Sequence, residues 1–218
     1  MRVAELFEPQ HTLAWEFLSK LVWPWEALPL IAAYVHELGV MLDPSEYEIR
    51  PDNVWIHKSA IIAPSAYIGS NIIIGAKTNV RHCAFIRGSA IIGEGAVIGN
   101  STELKNVILF DGVQVPHFNY VGDSILGYKS HMGAGAITSN CKSDSTMVSI
   151  NCGNERIETG LKKFGAILGD NVEVGCNAVL NPGTIIGSNT IIYPLSMVRG
   201  FIPADSIYKN QNEIIEKR

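Results

Sequence analysis

Charge is scarce in this chain. Asp, Glu, Lys and Arg together make up 17% of its 218 residues, and a net charge of -4 leaves no basic excess for nucleic acid. Cysteine is sparse too. Cys83, Cys141, Cys152 and Cys176 have neither CxxC spacing nor disulfide density, so they read as reduced thiols of a cytoplasmic protein. The longest apolar stretch, around Leu21 to Val35, is interrupted by Pro24, Glu26 and Pro29 and falls short of the ~20 clean residues of a membrane span. The start, with Glu5 and Glu8 close to Arg2, lacks the basic-then-apolar form of a signal peptide. Disorder is excluded by a hydrophobic content of 47%, and the length admits one sizeable domain with or without an appendage.

What the chain has in quantity is aliphatic side chains on a period of six. Ile56, Ile62, Ile68, Ile74, Val80, Ile86, Ile92, Ile98 and Leu104 follow one another at hexad spacing. A small or β-branched residue usually stands two places before, as at Ala84 and Ala90, and glycine often follows, as at Gly69, Gly75, Gly93 and Gly99. A period of six fits neither a helix nor simple strand alternation. It predicts a mainly β fold, a left-handed parallel β-helix of hexapeptide repeats, in which three short strands make one triangular coil and coils stack. The aliphatic residue points inward, and glycine is expected where the chain bends with unusual φ.

The pattern returns at Leu126, Met132 and Thr138, and again from Leu168 through Val174, Leu180, Ile186 and Ile192 to Val198. Its register slips between Leu104 and Leu126 and disappears between Asn140 and Lys163. Repeats are cheap to continue, so breaks mark the likeliest place for a site. The expected organisation is an N-terminal helical cap and linker over 1–53, the β-helix over 54–200 with a projecting loop at about 141–163, and a tail over 201–218. Two helices are expected between His11 and Leu38, with Pro24 ending the first and Gly39 terminating the second. Trp15, Trp23 and Trp25 are expected to pack on the open end of the prism or on a neighbouring subunit. Residues 42–53 read as a polar linker, and Glu213–Arg218 as a helical turn or a frayed end.

Spacing singles out Arg87 and Lys105. Each follows an inward aliphatic residue, and they lie eighteen positions apart, one full coil, so they are expected to stack at about a strand spacing of ~4.8 Å. Two cations that close call for an anion or a carboxylate between them. Next comes Pro116–His117–Phe118–Asn119–Tyr120–Val121–Gly122–Asp123, in the region of the slip, whose histidine can move a proton near neutral pH.

Arg87, Lys105, the Pro116–Asp123 segment, Gly133–Ala134–Gly135, Ile137–Thr138–Ser139–Asn140 and the run Lys163–Asp170 together resemble a family. It is the acetyltransferase half of bifunctional N-acetylglucosamine-1-phosphate uridylyltransferases and of the related sugar-1-phosphate nucleotidylyltransferase/acetyltransferases, and the likeness covers roughly 54–200. The resemblance implies a homotrimer with sites between adjacent prisms, using acetyl-CoA to acetylate an amino-sugar phosphate or related amino sugar. It implies His117 as general base and Arg87, Lys105 and Lys163 as sugar-phosphate ligands, with Tyr120 a further sugar contact. Asn140 would orient the base region and the cofactor, and the Ala134 backbone would meet the acetyl group. Two positions depart from the family: His131 stands for a sugar-contacting asparagine and Cys176 for a serine near the cofactor. No glycine-rich nucleotide loop is present, so uridylyl transfer is not expected. No metal site is expected either: a zinc hydratase of this fold needs three converging histidines, and His82, His117 and His131 are too widely spaced. The other class of function left open is a non-catalytic solenoid that binds a sugar nucleotide or a partner subunit.

Overall fold

In the computed structural model, the described residues are 1–153, 155–211 and 213–217. Asn154 of the expected loop and Arg218 of the expected tail lie outside them. The hexads form the left-handed parallel β-helix that their period predicts. Its first face carries residues 67–68, 85–86, 103–104, 120–121, 137–138, 179–180 and 197–198, each paired in parallel with the next. The second face carries 54–56, 72–74, 90–92, 107–109, 124–126, 166–168, 184–186 and 201–202. The third begins at Ile61–Ile62 and runs through Gln114–His117 and His131–Met132 to Ser206–Asn210. Strands such as Tyr67–Ile74 bend across the corner between the first two faces, so those faces share one 12-stranded sheet while the third is a separate 9-stranded one.

Inward aliphatics fill the prism: Ile74, Val80, Ile86, Ile92, Ile98 and Leu104 are all fully buried. The corners need left-handed backbone, and non-glycine residues supply most of it. Asn71, Ser89, Asn106 and Asp123 mark the first–second corner, Lys77, Lys129, Asn171 and Asn189 the second–third, and Cys83, Ser101, Phe118, Asn177 and Leu195 the third–first. The hexad glycines therefore serve a different end from the one expected. At Gly99 the φ is ordinary, and a Cβ would lie 1.6 Å from the Pro116 carbonyl oxygen of the next coil. Absence of a side chain there permits close stacking of coils, whatever the φ.

The N-terminal segment differs from its expected role as an end cap. It lies along the flank of the prism, over the second face. Leu6 accepts hydrogen bonds from Asp170 N–H and Ser188 Oγ, and His11 accepts one from Asp111 N–H. Farther on, the Asn106 amide donates to the Leu28 carbonyl, and the helix Ile31–Gly39 crosses the strands Tyr67–Ile74, Phe85–Ile92 and Glu103–Leu109. Trp25 is buried against Phe164, with Trp23 stacked on it. The cause is written in the second face, whose outward residues Ile73, Ile91, Ile108, Ile125, Ile167 and Ile185 are all isoleucine and all fully buried. Covering each contributes about 1.5–3 kcal/mol.

Helix boundaries shift accordingly. The first expected helix is only Trp15–Leu18, and Pro24 opens a 3-10 helix, Pro24–Leu30. The last helix does end at Gly39, but not through a left-handed glycine: a Cβ there would meet the Trp55 indole at 2.5 Å, so the residue is glycine for close packing. The end of the solenoid is closed by part of the expected linker: Tyr47–Arg50 is a strand antiparallel to Val54–His57. At the other end Glu213–Glu216, expected as a turn or fray, is a strand antiparallel to Ser206–Asn210.

The loop after Asn140 contains its own hairpin, Ser149–Cys152 with Glu155–Glu158. It folds back on the prism, with Val148 and Ile150 fully buried. The slip in the hexads has a simple origin. Inward residues run Leu104, Leu109, Val115, Val121, Leu126, and the steps from 104 to 109 and from 121 to 126 are one residue short. Both shortened steps, and the long loop one coil later, fall on the first–second corner.

Candidate active site

The two shortened turns concentrate polar side chains at that corner. In each, one residue fewer leads into the bend, and the left-handed positions are Asn106 and Asp123. Asp123 has a side chain only 5% exposed, and the Lys105 ammonium donates to both its carboxylate oxygens at 2.9 Å. The Asn106 amide donates to the same carboxylate at 2.9 Å and the Asn140 amide at 2.5 Å. Asn140 also donates to the Tyr120 hydroxyl at 3.2 Å. Burial, and the negative charges of Asp123 and Glu103, push the Tyr120 hydroxyl above its ordinary range.

Arg87 and Lys105 do not stack as their spacing suggests. The ladder is irregular between Ile86 and Gly88, and Lys105 stands opposite Gly88. Each cation has its own acid: Arg87 meets Glu103 at 3.4 Å on the exposed surface, and Lys105 meets Asp123. Lys163 is exposed at the base of the loop, next to Phe164, whose N–H donates to the Asn140 carbonyl at 2.9 Å.

A second column runs along the third–first corner. His117, Ala134 and Cys176 occupy equivalent places on consecutive coils, joined by hydrogen bonds from Gly135 N–H to the His117 carbonyl and from Asn177 N–H to the Ala134 carbonyl. His117 is exposed, and its ring has no hydrogen-bond partner among the described residues. It belongs to a regular stretch of the stack, since the slips lie at residues 104–109 and 121–126. Of the three N–H groups of Gly133–Ala134–Gly135, two are taken, Gly133 by the Val174 carbonyl and Gly135 by His117. Only Ala134 N–H stays unbonded among the described residues, and it is the group there that can meet a developing oxyanion.

Asn119 is the residue that sequence reasoning passed over. It is 2% exposed; its side-chain oxygen accepts from His117 N–H at 3.1 Å, and its amide donates to the Gly133 and Ala136 carbonyls at 2.8 and 3.0 Å. It thereby ties the His117 backbone to the turn beneath. An asparagine two residues after a histidine was the available signal. His131 lies on the third face, its ring bound to the Glu173 carboxylate at 2.8 Å.

The two columns sit at opposite ends of the first face. Within one coil, His117 and Asp123 are six residues apart, up to ~20 Å of extended chain, with Tyr120 between them. One chain therefore brings His117, Ala134 and Cys176 together, and separately Lys105, Tyr120 and Asn140, without joining the two sets. Among the described residues, no three His, Cys, Asp or Glu side chains are placed to hold a metal ion.

Residues 76–196 match the family model described as the GMPPB C-terminal domain. A bifunctional protein GlmU from Methanococcus vannielii is 35% identical over 160 residues, 73% of this chain and 34% of that protein. A bifunctional sugar-1-phosphate nucleotidylyltransferase/acetyltransferase from Sulfurisphaera tokodaii is 34% identical over 109 residues, 50% of this chain and 27% of that protein. The chain thus spans about a third of the length of the curated relatives it matches. Among solved structures, the acetyltransferase domain of PglB from Neisseria gonorrhoeae, in complex with acetyl coenzyme A, is 17% identical with a TM-score of 0.33, covering 75% of this chain and 57% of that one.

Proposed function

The chain belongs to the family of the GMPPB C-terminal domain, and from that membership we propose that it is a CoA-dependent N-acetyltransferase acting on an amino-sugar phosphate or related amino sugar. The observation that carries this reading is the corner column in which exposed His117 stands one coil above Ala134, with Asn119 fixing the distance between them. Acetyl-CoA supplies an activated acyl group as a thioester. The free ring of His117 takes the amine proton as the new C–N bond forms, and collapse of the tetrahedral intermediate breaks the C–S bond and expels CoA as a thiolate that takes up a proton. Ala134 N–H faces the oxyanion that develops on the carbonyl, and the small side chains of this turn leave room for the thin pantetheine arm. Cys176, exposed on the following coil, borders the same path. Tyr120 contacts the sugar, Asn140 orients the base region and the cofactor of the neighbouring copy, and Arg87 and Lys163, both exposed, hold the sugar's phosphate by charge-assisted bonds. The charge of Lys105 is already matched by Asp123, so its part is to hold the Asp123–Asn140 cluster in place.

The separation of the two columns supports a homotrimer, in which the corner of one copy meets the other corner of its neighbour. Exposed Tyr67, Phe85, Phe118, Leu195 and Met197, on and beside the first face, supply apolar surface for that contact. Light scattering that gives a monomer with acetyltransfer intact overturns the trimer. The four free thiols suit a reducing cytoplasm. The activity itself is tested by thiol release from acetyl-CoA across a panel of amino sugars and their 1-phosphates, alongside calorimetry with acetyl-CoA. Binding of acetyl-CoA without thiol release from any acceptor overturns the catalytic reading. The mutual pairing of Lys105, Asp123 and Asn140 leaves fewer free groups for a phosphate at this corner and favours the second reading, a non-catalytic solenoid that binds a partner subunit.

A further inference from the structure

The loop hairpin and the first face enclose a cavity of about 440 Å³ that holds none of the residues assigned above. Its floor is one row of the first face: Ser139, Asn181 and Arg199 each follow an inward residue, Thr138, Leu180 and Val198, on consecutive coils. Its wall is the loop, with Lys142, Ser149, Asn151 and Arg156. The lining carries three cations against one carboxylate, Asp144, and is otherwise rich in hydroxyl and amide groups. Lys142 and Arg156 have acids nearby, Asp144 at 3.5 Å and Glu158 at 2.8 Å. Arg199 has no acidic partner among the described residues. Its neighbour along the floor, Asn181, spends its amide on the Val198 carbonyl at 2.9 Å and leaves the side-chain oxygen without a partner there.

Arg199 also borders a second cavity, of about 450 Å³, lined by Met197, Phe201, Ile202, Tyr208 and Ile214 together with the amide of Gln211. Asn151 and Arg199 are common to both. A cationic, donor-rich space thus opens beside one of mixed polar and apolar lining, with a guanidinium at the junction. Oxygen anions are matched by the first, and a flat heteroaromatic ring with polar edges by the second, where Phe201 offers a ring face and Asn151 and Gln211 offer amides. At its other end the polar cavity begins at Ser139 and Cys141, the two residues flanking Asn140.

We propose that these joined cavities bind the diphosphate and base of a nucleoside diphosphate, so that the acceptor is a nucleotide-linked amino sugar more extended than a sugar 1-phosphate. The identity of the acceptor rests on the acetyltransferase reading; the binding of a nucleoside diphosphate does not. Isothermal titration without acetyl-CoA separates the two, using UDP, GDP, inorganic pyrophosphate and glucosamine-1-phosphate as probes. At least one nucleoside diphosphate should bind more tightly than pyrophosphate, and Arg199→Ala should weaken it by about tenfold or more, as expected for loss of a charge-assisted contact. Arg199→Lys should recover part of that loss, and glucosamine-1-phosphate should bind Arg199→Ala as it binds the parent protein. Equal affinity of Arg199→Ala and parent for the nucleoside diphosphate overturns the proposal. So does pyrophosphate binding as tightly as UDP and GDP, which removes any part for the second cavity. Arg199 is exposed, so its substitution should leave the melting midpoint unchanged, and a melt confirms that the comparison is between folded proteins.

Discussion

The first and second faces of the prism share one backbone ladder and one set of inward aliphatics, yet their outward residues have opposite fates. On the second face Ile73, Ile91, Ile108, Ile125, Ile167 and Ile185 are sealed beneath the N-terminal segment. On the first, the corresponding residues are Tyr67, Phe85, Glu103, Tyr120, Ile137, Val179 and Met197, exposed or half-covered and chemically mixed. A solenoid gives each face the same scaffold; what decides a face's role is whether a second layer covers it. The covered face is a second hydrophobic core. The open face, with its two corners, is where every candidate functional residue except His131 stands.

If that division holds, substitutions on the two sides fail in different ways. The largest effect belongs to His117. His117→Ala should lower turnover by roughly 10²–10⁴-fold with little change in acceptor affinity, and should leave the thermal midpoint near that of the parent. Turnover above half of the parent's makes His117 structural. Next comes Ile108→Ala under the N-terminal segment, which should cost about 2–5 kcal/mol in urea unfolding. The matching truncation on the uncovered third face, Ile191→Ala, should cost less than about 1 kcal/mol. Equal losses would mean that the covering layer contributes little. Asp123→Ala leaves Lys105 with no carboxylate and frees the Asn140 amide, so it should destabilise by about 1–3 kcal/mol and weaken acceptor binding, read by melting and calorimetry together.

The smallest effect is a pH slope. Burial raises the carboxyls of Asp111 and Asp170 above the usual range; the Asp170 carboxylate accepts from Glu8 N–H of the covering segment, and the Asp111 carboxylate from Glu94 N–H of the prism. A carboxyl raised by folding contributes its stability below the unfolded value, near ~4, and that contribution is lost as pH rises through the folded value. Asp170→Asn removes the titration, so its thermal midpoint should vary less between about pH 4 and 7 than the parent's. An unchanged slope would assign the dependence to other groups.

The prism was legible because inward positions recur at six and must be aliphatic. The loop was legible as the place where recurrence stops. The covering layer was not anticipated, although its signal was present. Outward positions on one face alone, from Ile73 to Ile185, are uniformly isoleucine, and counting only the inward residues passes over them. The two corner clusters were half visible. Lys105 was singled out by spacing and His117 by its place near the slip, while Tyr120, Asn140 and Ala134 were singled out by resemblance to a family. Asp123, Asn106 and Asn119 act through hydrogen bonds across coils, which no period in the chain encodes. The stacking expected of Arg87 and Lys105 failed because one extra residue, at Arg87, sets the two strands out of step.

Attachment of the first residues to late coils also imposes an order on folding. Coils pair across about 17 or 18 residues, whereas Glu8 bonds Asp170 across 162 positions and Ser188 bonds Leu6 across 182. On a ribosome adding 5–20 residues per second, Leu6 waits roughly 10–30 s for Asp170 to be made. During that interval the helix Ile31–Gly39 can already lie on the strands that carry Ile73, Ile91 and Ile108, while the first residues of the segment, whose partners are Asp170 and Ser188, remain undocked. The nascent chain is thus most prone to associate with its own kind late in synthesis, when most of its coils exist and its cover is still loose.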